Sequence, residues 1–250
     1  MKKLFALGLI ASTFFAGFTT SAFALDKNKT YVVGTEATYA PYEYLNEKGE
    51  LVGFDIDLIN YVCAQIGIKC TVENQAFDSL FSNLNFRKID LVIAGVHPTE
   101  ARLKVVAFSD EYLPKENNVY LVSKASGLTT VEQLKTVGTQ AGTSQAKYLD
   151  EKTKFKIVRY QTNDLALLDL KAKRIDAFLI TEEIAKPLLE DSNDFTVAGT
   201  PFSDPLFGLT GPAIGVNKKD KELLEAVNQA LAQAKESGFI DSLKAKYKMN

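Results

Sequence analysis

The chain has 250 residues, 46% of them hydrophobic, with 29 basic and 31 acidic side chains and a formal net charge of −2. That length suits one large or two small domains, and the apolar fraction is ample for a packed core. A mildly acidic chain with scattered lysines lacks the basic stripe that nucleic-acid binding needs, and no segment beyond the first residues is long and apolar enough to span a bilayer.

Residues 1–24 read as a secretory signal. Lys2 and Lys3 form a basic start, Leu4 to Phe18 an apolar stretch, and Ala22-Phe23-Ala24 a small-x-small cleavage site. Ser12, Thr13, Gly17, Thr19 and Thr20 interrupt the apolar stretch and oppose the alternative of a membrane anchor. No cysteine lies near the cleavage site, so no lipid anchor is expected. The segment holds two lysines and no acid, so cleavage leaves 226 residues and moves the net charge from −2 to −4.

Strand and helix patterns then alternate. Tyr31-Val32-Val33 reads as a strand. Ile56, Ile59, Cys63 and Ile66 fall on one face of a helix. A short strand follows over Lys69 to Glu73, and Phe77, Leu80, Phe81 and Leu84 mark a second helix. Leu91-Val92-Ile93-Ala94 is a continuous apolar run, the mark of a strand covered on both faces. Repeated units of this kind predict a largely parallel sheet flanked by helices.

A second block restarts near Asn118. Val119 to Val122 reads as a strand, and Thr129-x-x-Glu132 as a capping box. Val137-Gly138-Thr139 is a strand, Gly142-Thr143-Ser144 opens a helix, Asn163 caps a helix from Asp164 to Lys173, and Ala177 to Ile180 is again a buried strand. Phe86 to Ile93 and Ala172 to Leu179 echo each other: each has two basic residues, then Ile-Asp, then an apolar strand. Phe202 to Thr210 reads as a connector and Ala213 to Val216 as a strand. Leu223, Leu224, Val227, Ala230, Leu231 and Ala234 mark a long amphipathic helix stopped by Gly238, and a short helix runs from Phe239 to Lys248.

Cys63 and Cys70 are the only cysteines. In an exported chain a disulfide is expected between them, contributing on the order of 2–3 kcal/mol. Two thiols and one distant histidine do not make a four-ligand metal site. No metal and no cofactor are expected.

Two stretches carry a family resemblance. They are Gly34-Thr35-Glu36-Ala37-Thr38-Tyr39-Ala40-Pro41-Tyr42, and Gly53-Phe54-Asp55-Ile56-Asp57-Leu58 with Val62 and Cys63 beyond it. Together they resemble the signature of family 3 of the periplasmic solute-binding proteins that feed amino-acid ABC importers. The chain looks closest to the binding proteins for arginine and for lysine, arginine and ornithine, and Ala76-Phe77-Asp78-Ser79-Leu80 with Phe86-Arg87-Lys88 resembles the arginine-binding members especially. The resemblance covers the chain from Tyr31 onward. It implies a type II α/β fold of two lobes, each a mostly parallel sheet flanked by helices. Lobe 1 is residues 25–115 and 212–250, lobe 2 is residues 116–211, and hinges lie near Pro114–Val119 and Phe207–Pro212.

The resemblance also implies a ligand site. Arg102 matches the arginine that grips a ligand carboxylate, a task suited to its planar fork of donors. Gly142, Thr143 and Ser144 match a helix N-terminus facing the ligand, with Gln140 on the strand leading in. Tyr39 and Phe77 match two aromatic walls around the ligand side chain. Glu36 matches an acidic position that would pair with a cationic one. Ala94, Gly95 and His97 match a segment that turns backbone groups toward the ligand, although relatives commonly carry Ser at the positions of Ala94 and His97. Thr181 is a larger departure, because the family usually places Asp there to bind the α-ammonium. Glu182 and Glu183 follow it and are the expected compensation.

The implied function is a periplasmic receptor for a free cationic amino acid, arginine before lysine and ornithine. It would be a monomer, with an inner-membrane permease as partner, no nucleic acid and no catalysis. Two alternatives stay open on the same fold: a dehydratase-like periplasmic enzyme and a soluble ligand-sensing subunit. The sequence shows no Ser-His-Asp arrangement, nucleophile elbow or metal motif to favour an enzyme.

Overall fold

A computed structural model describes residues 25–191 and 193–249. The expected signal peptide lies outside them. The chain first forms β1 (Thr30–Thr35) and a ribbon of β2 (Thr38–Tyr39), β3 (Glu43–Leu45) and β4 (Leu51–Val52). Next come α1 (Phe54–Ile66), β5 (Lys69–Asn74), α2 (Phe77–Asn85), β6 (Leu91–Val92), α3 (Glu100–Leu103) and β7 (Ala107–Glu111). A second lobe holds β8 (Asn118–Ser123), β9 (Thr136–Gln140), α4 (Ser144–Lys152), β10 (Lys156–Tyr160) and α5 (Asn163–Lys171), then β11 (Ala177–Thr181), α6 (Glu182–Asp191) and β12 (Phe195–Phe202). The chain returns to the first lobe as β13 (Ala213–Val216), α7 (Lys221–Glu236) and α8 (Phe239–Tyr247).

The two sheets have one plan, β5-β1-β6-β13-β7 and β10-β9-β11-β8-β12. In each, the first three strands are parallel and the fourth runs against both its neighbours. The reversed strands, β13 and β8, are the ones the chain enters after crossing from the other lobe, through residues 203–212 and 112–117. A strand entered from the cleft runs away from it. The others run toward it, so the residues just past β1, β6, β9 and β11 gather at one place, as in open α/β sheets generally.

Local chemistry explains the elements. The predicted face of α1 is the buried one: Ile56, Ile59 and Cys63 are buried with Leu58 and Val62, and the helix packs on α7. Each fully buried Leu or Ile there contributes roughly 1.5–3 kcal/mol. The helix starts at Gly53 because nothing larger fits: its φ is 136°, and a Cβ would sit 2.1 Å from the Tyr42 carbonyl oxygen. Cys63 and Cys70 form a disulfide between the end of α1 and β5.

The sequence echo is structural. Arg87 and Lys173 both have positive φ, 58° and 56°. Asp90 accepts the Val32 N–H at the start of β1, and Asp176 accepts the Thr136 N–H at the start of β9. Each Ile-Asp pair thus follows a helix and ties the next strand, the central one of its sheet, to its parallel neighbour.

Some boundaries move. The apolar run from Leu91 is buried, but only Leu91 and Val92 pair as a strand. The capping box is Thr130 with Gln133, one residue later than expected, and it starts a 3-10 turn. The cap of α5 is Thr162, whose hydroxyl accepts the Leu165 N–H, so Asn163 is already helical. The ribbon β2–β4 and the elements β10, α6 and β12 had no sequence expectation. Their exposed or half-buried faces blur the apolar period.

Candidate functional site

The eleven residues expected to touch ligand all line one cavity between the lobes. From lobe 1 come Glu36 and Tyr39 after β1, Phe77 on α2, Ala94, Gly95 and His97 after β6, and Arg102 on α3. From lobe 2 come Gln140 at the end of β9, Thr143 and Ser144 at the start of α4, and Thr181 at the end of β11. The lobes are closed on each other. Gln140 Nε2 donates to Glu36 Oε2 at 3.0 Å, Asn163 Nδ2 to the Thr38 carbonyl at 3.2 Å, and the Tyr39 hydroxyl lies 2.9 Å from Thr181 Oγ1. Gly142 makes this approach possible: with φ at 75°, its Cα lies where a Cβ would come within 2.8 Å of Asp78 Cα on the facing lobe.

Arg102 is held from three sides. Thr99 caps α3 by accepting the Arg102 N–H, and Arg102 Nη1 donates to the His97 carbonyl at 3.0 Å. The guanidinium carbon sits 4.5 Å from the Phe81 ring centre and 5.5 Å from that of Phe77. Desolvation lowers its pKa to about 10, so it stays charged at neutral pH. No described carboxylate pairs with it. A desolvated, stacked and unpaired guanidinium is a site prepared for an anion.

Glu36 is 4% exposed, and burial raises its pKa, opposed by bonds from Gln140 and Thr38. The Thr38 hydroxyl donates to both its oxygens, at 2.8 and 3.0 Å. Thr143 accepts the Ala146 N–H at 3.1 Å as the N-cap of α4 and donates to the Gln140 carbonyl at 2.7 Å, which fixes β9 against the helix. Ser144 bonds the Gln145 side chain.

Three expectations change. The Gly95 N–H is not aimed at the cavity but at Asp55 Oδ2, 2.8 Å away. The His97 ring lines the cavity, yet its Nδ1 lies 3.0 Å from the Thr210 carbonyl on the second crossing segment. That partner can only accept, so Nδ1 carries the proton. Burial lowers the ring's pKa to about 4, and the imidazole is neutral with a free acceptor at Nε2. Glu182 and Glu183 do not line the cavity. They face a separate groove along the first crossing segment, where Glu182 accepts from Asn117 Nδ2 at 3.2 Å.

Sequence reasoning also missed residues. Glu43 lines the cavity at 1% exposure, and Asn163 and Gln145 line it from lobe 2. Behind Glu43, Asp55 accepts the Gly95 N–H and the Tyr112 hydroxyl through Oδ2. Asp55 Oδ1 and Glu43 Oε2 have no other donor. A proton on Glu43 satisfies both, and burial with the neighbouring Asp55 charge holds Glu43 well above the carboxylate range. Burial raises Asp55 to about 6. No periodicity marks these positions. Glu43 follows directly after the family motif, its only signal.

Residues 31–250 match the model of the bacterial extracellular solute-binding proteins, family 3. The chain belongs to that family. It is 38% identical to the ABC transporter arginine-binding protein 1 of Escherichia coli (strain K12), over 95% of each chain. It is 33% identical to the lysine/arginine/ornithine-binding periplasmic protein of the same organism, over 98% of this chain and 96% of the other. Among solved structures, a Salmonella typhimurium periplasmic binding protein described for its high arginine specificity superposes with a TM-score of 0.83. It is 34% identical, and the match covers 88% of this chain and 99% of that one. The fold expected from the motifs, a two-lobed type II binding protein, is the fold observed.

Among the described residues no helix is long and apolar enough to cross a membrane, and no group of three or more His, Cys, Asp and Glu side chains is placed to hold a metal.

Proposed function

We propose that residues 25–250 form the periplasmic solute-binding protein of an amino-acid ABC importer. It closes around one free cationic amino acid, arginine first and lysine or ornithine next. The observation that carries this reading is the unpaired Arg102 guanidinium, in one cavity with the Glu36 carboxylate and the rings of Tyr39 and Phe77. A ligand carboxylate satisfies Arg102, and a cationic side chain lies against the rings and pairs with Glu36. The names of the relatives support the ligand class, since arginine appears in those of both E. coli proteins.

On this reading residues 1–24 are removed on export. Lobe 1 is residues 25–115 with 212–250, and lobe 2 is residues 116–211. The crossings at 112–117 and 203–212 bend as the lobes close. The closed monomer is the form the permease receives, and no bond is made or broken.

A thermal-shift screen of the twenty amino acids with ornithine and citrulline, followed by calorimetry, tests the proposal, because a ligand bound only by the folded state raises the Tm. Arginine is expected at micromolar affinity or better, about 8 kcal/mol or more. Tighter binding of glutamate or an apolar amino acid than of arginine, lysine and ornithine overturns it.

A further inference from the structure

An amino acid brings an ammonium as well as a carboxylate, and the cavity offers it few free acceptors. Both Glu36 oxygens hold the Thr38 hydroxyl, and one also holds Gln140. Glu43 faces Asp55. Thr181 differs. It is 3% exposed, lines the cavity, and has the Tyr39 hydroxyl at 2.9 Å. Behind it, outside the cavity wall, stands Glu116 on the first crossing segment. Thr181 pairs across the sheet with Asn118, two residues past Glu116, its hydroxyl favours the ionised Glu116, and the Tyr42 hydroxyl donates to the same carboxyl. The rings of Tyr39 and Tyr42 stack with centres 5.6 Å apart.

We infer that Glu116 is the counter-charge for the ligand's α-ammonium and acts on it through the Thr181 hydroxyl; this deepens the amino-acid reading and rests on it. The four groups form one relay. On this inference Tyr39 donates to Thr181 and Thr181 donates to Glu116, beside the bond from Tyr42. Thr181 Oγ1 keeps one lone pair, and a hydroxyl that gives its proton to a carboxylate is a stronger acceptor for the next donor. The neutral threonine therefore presents a negative end to the cavity without carrying a charge. Glu116 is a positioning residue, since it reaches the ligand only through Thr181.

The relay also couples recognition to closure. Tyr39 and Tyr42 belong to lobe 1 and Thr181 to lobe 2, while Glu116 sits on the segment joining them. Opening the cleft parts Tyr39 from Thr181, so the acceptor is complete only when the lobes meet.

Titration gives a second handle. Burial raises the Glu116 carboxyl to about 7. The groups facing it are Tyr42 from the β2–β3 turn, Thr181 from β11, Glu183 from α6 and Asp55 from α1, with Lys115, Glu182, Lys186 and Glu190 along its outer groove. An arriving ammonium favours the ionised carboxyl, so affinity falls as pH drops below about 7.

The test compares arginine with 5-guanidinopentanoate, which keeps the carboxylate and guanidinium but lacks the α-ammonium, on the mature chain. Glu116→Gln is expected to weaken arginine about tenfold, the difference between a charge-assisted and a neutral hydrogen bond. The des-amino ligand is expected to be unaffected, and the fall in arginine affinity below neutral pH to flatten. Equal losses for the two ligands, or an unchanged pH profile, overturn the inference and leave Glu116 a purely structural residue. If Glu116→Gln does not fold, Thr181→Val removes the cavity end of the relay and must show the same selective loss. Wild-type protein that binds both ligands equally has no ammonium contact: the inference fails while the carboxylate contact at Arg102 stands. Wild-type protein that binds neither ligand overturns the choice of arginine as the ligand, and this inference with it.

Discussion

The two lobes share a sheet plan, a reversed fourth strand and an Ile-Asp junction, yet they bring different chemistry to the cavity. Lobe 1 contributes ionisable groups: Glu36, Glu43 and Arg102, with Asp55 directly behind. Lobe 2 contributes neutral ones: Thr139, Gln140, Thr143, Ser144, Asn163 and Thr181. One scaffold thus divides its work. Charges that are costly to bury sit on the lobe that holds them with a fixed network, and the facing lobe supplies hydrogen bonds that form on closure. A lobe that must part from its partner leaves behind only groups that water can satisfy.

The strongest test of this division is binding by paired variants. Arg102→Met on lobe 1 is expected to cost about 2–5 kcal/mol for every amino acid alike, because it leaves a buried ligand carboxylate unpaired. Thr143→Val on lobe 2 removes a neutral hydroxyl and is expected to cost about 1 kcal/mol of binding, the net worth of one hydrogen bond. Calorimetry on both variants with arginine measures the contrast. Equal losses would break it, placing the carboxylate contact in lobe 2.

A second test concerns stability and pH. Asp55→Ala strands the Gly95 N–H, the Tyr112 hydroxyl and the Glu43 proton, and is expected to cost about 3 kcal/mol or more. Glu43→Gln keeps a donor toward Asp55 Oδ1 and is expected to stay within about 1 kcal/mol of wild type at neutral pH. The sign of the pH dependence follows from the raised Asp55, at about 6. Between the ordinary carboxylate value near 4 and about 6 the native state binds more protons than the unfolded chain. Its contribution is therefore present at acid pH and is lost as pH rises through about 6. His97, lowered to about 4, acts the other way and removes stability as pH falls below its ordinary value near 6.5. Denaturant unfolding of wild type and Asp55→Ala across this range separates the two: the variant keeps the acid-side loss due to His97 and loses the opposing term.

The same contrast marks what was legible beforehand. The spacing of apolar residues in α1 and α7 and the run at Ala213 to Val216 led to the right elements, and the residues the resemblance picks out, Tyr39 and Arg102 among them, line one cavity. These signals are local or carried by contiguous stretches. Glu43, Asn163 and Glu116 were not legible, because each is buried or half-buried against a partner on another element: Asp55, Thr38 and Tyr42. A polar residue that becomes interior through a long-range bond has no period. Pro114-Lys115-Glu116-Asn117 reads as a solvated linker until the two lobes are placed around it. The same holds for His97, whose ring is claimed by Thr210, 113 residues away.

The smallest effect is expected at the bond inside the cavity that joins a charge of lobe 1 to a neutral side chain of lobe 2, Glu36 with Gln140 at 3.0 Å. Glu36→Gln keeps the size and the hydrogen-bonding capacity but removes the charge. Cationic ligands are expected to weaken by about 1–2 kcal/mol, while neutral analogues such as citrulline change little. Gln140→Ala leaves the charge and removes its cross-cleft partner. If the lobe 2 side chain serves closure alone, cationic and neutral ligands weaken together, by about 1 kcal/mol, the net worth of one hydrogen bond. Calorimetry with arginine and citrulline on both variants decides. Selectivity lost in Glu36→Gln and kept in Gln140→Ala assigns charge reading to lobe 1. Selectivity lost in both makes the pair a single recognition unit, and the division between the lobes then ends at this bond.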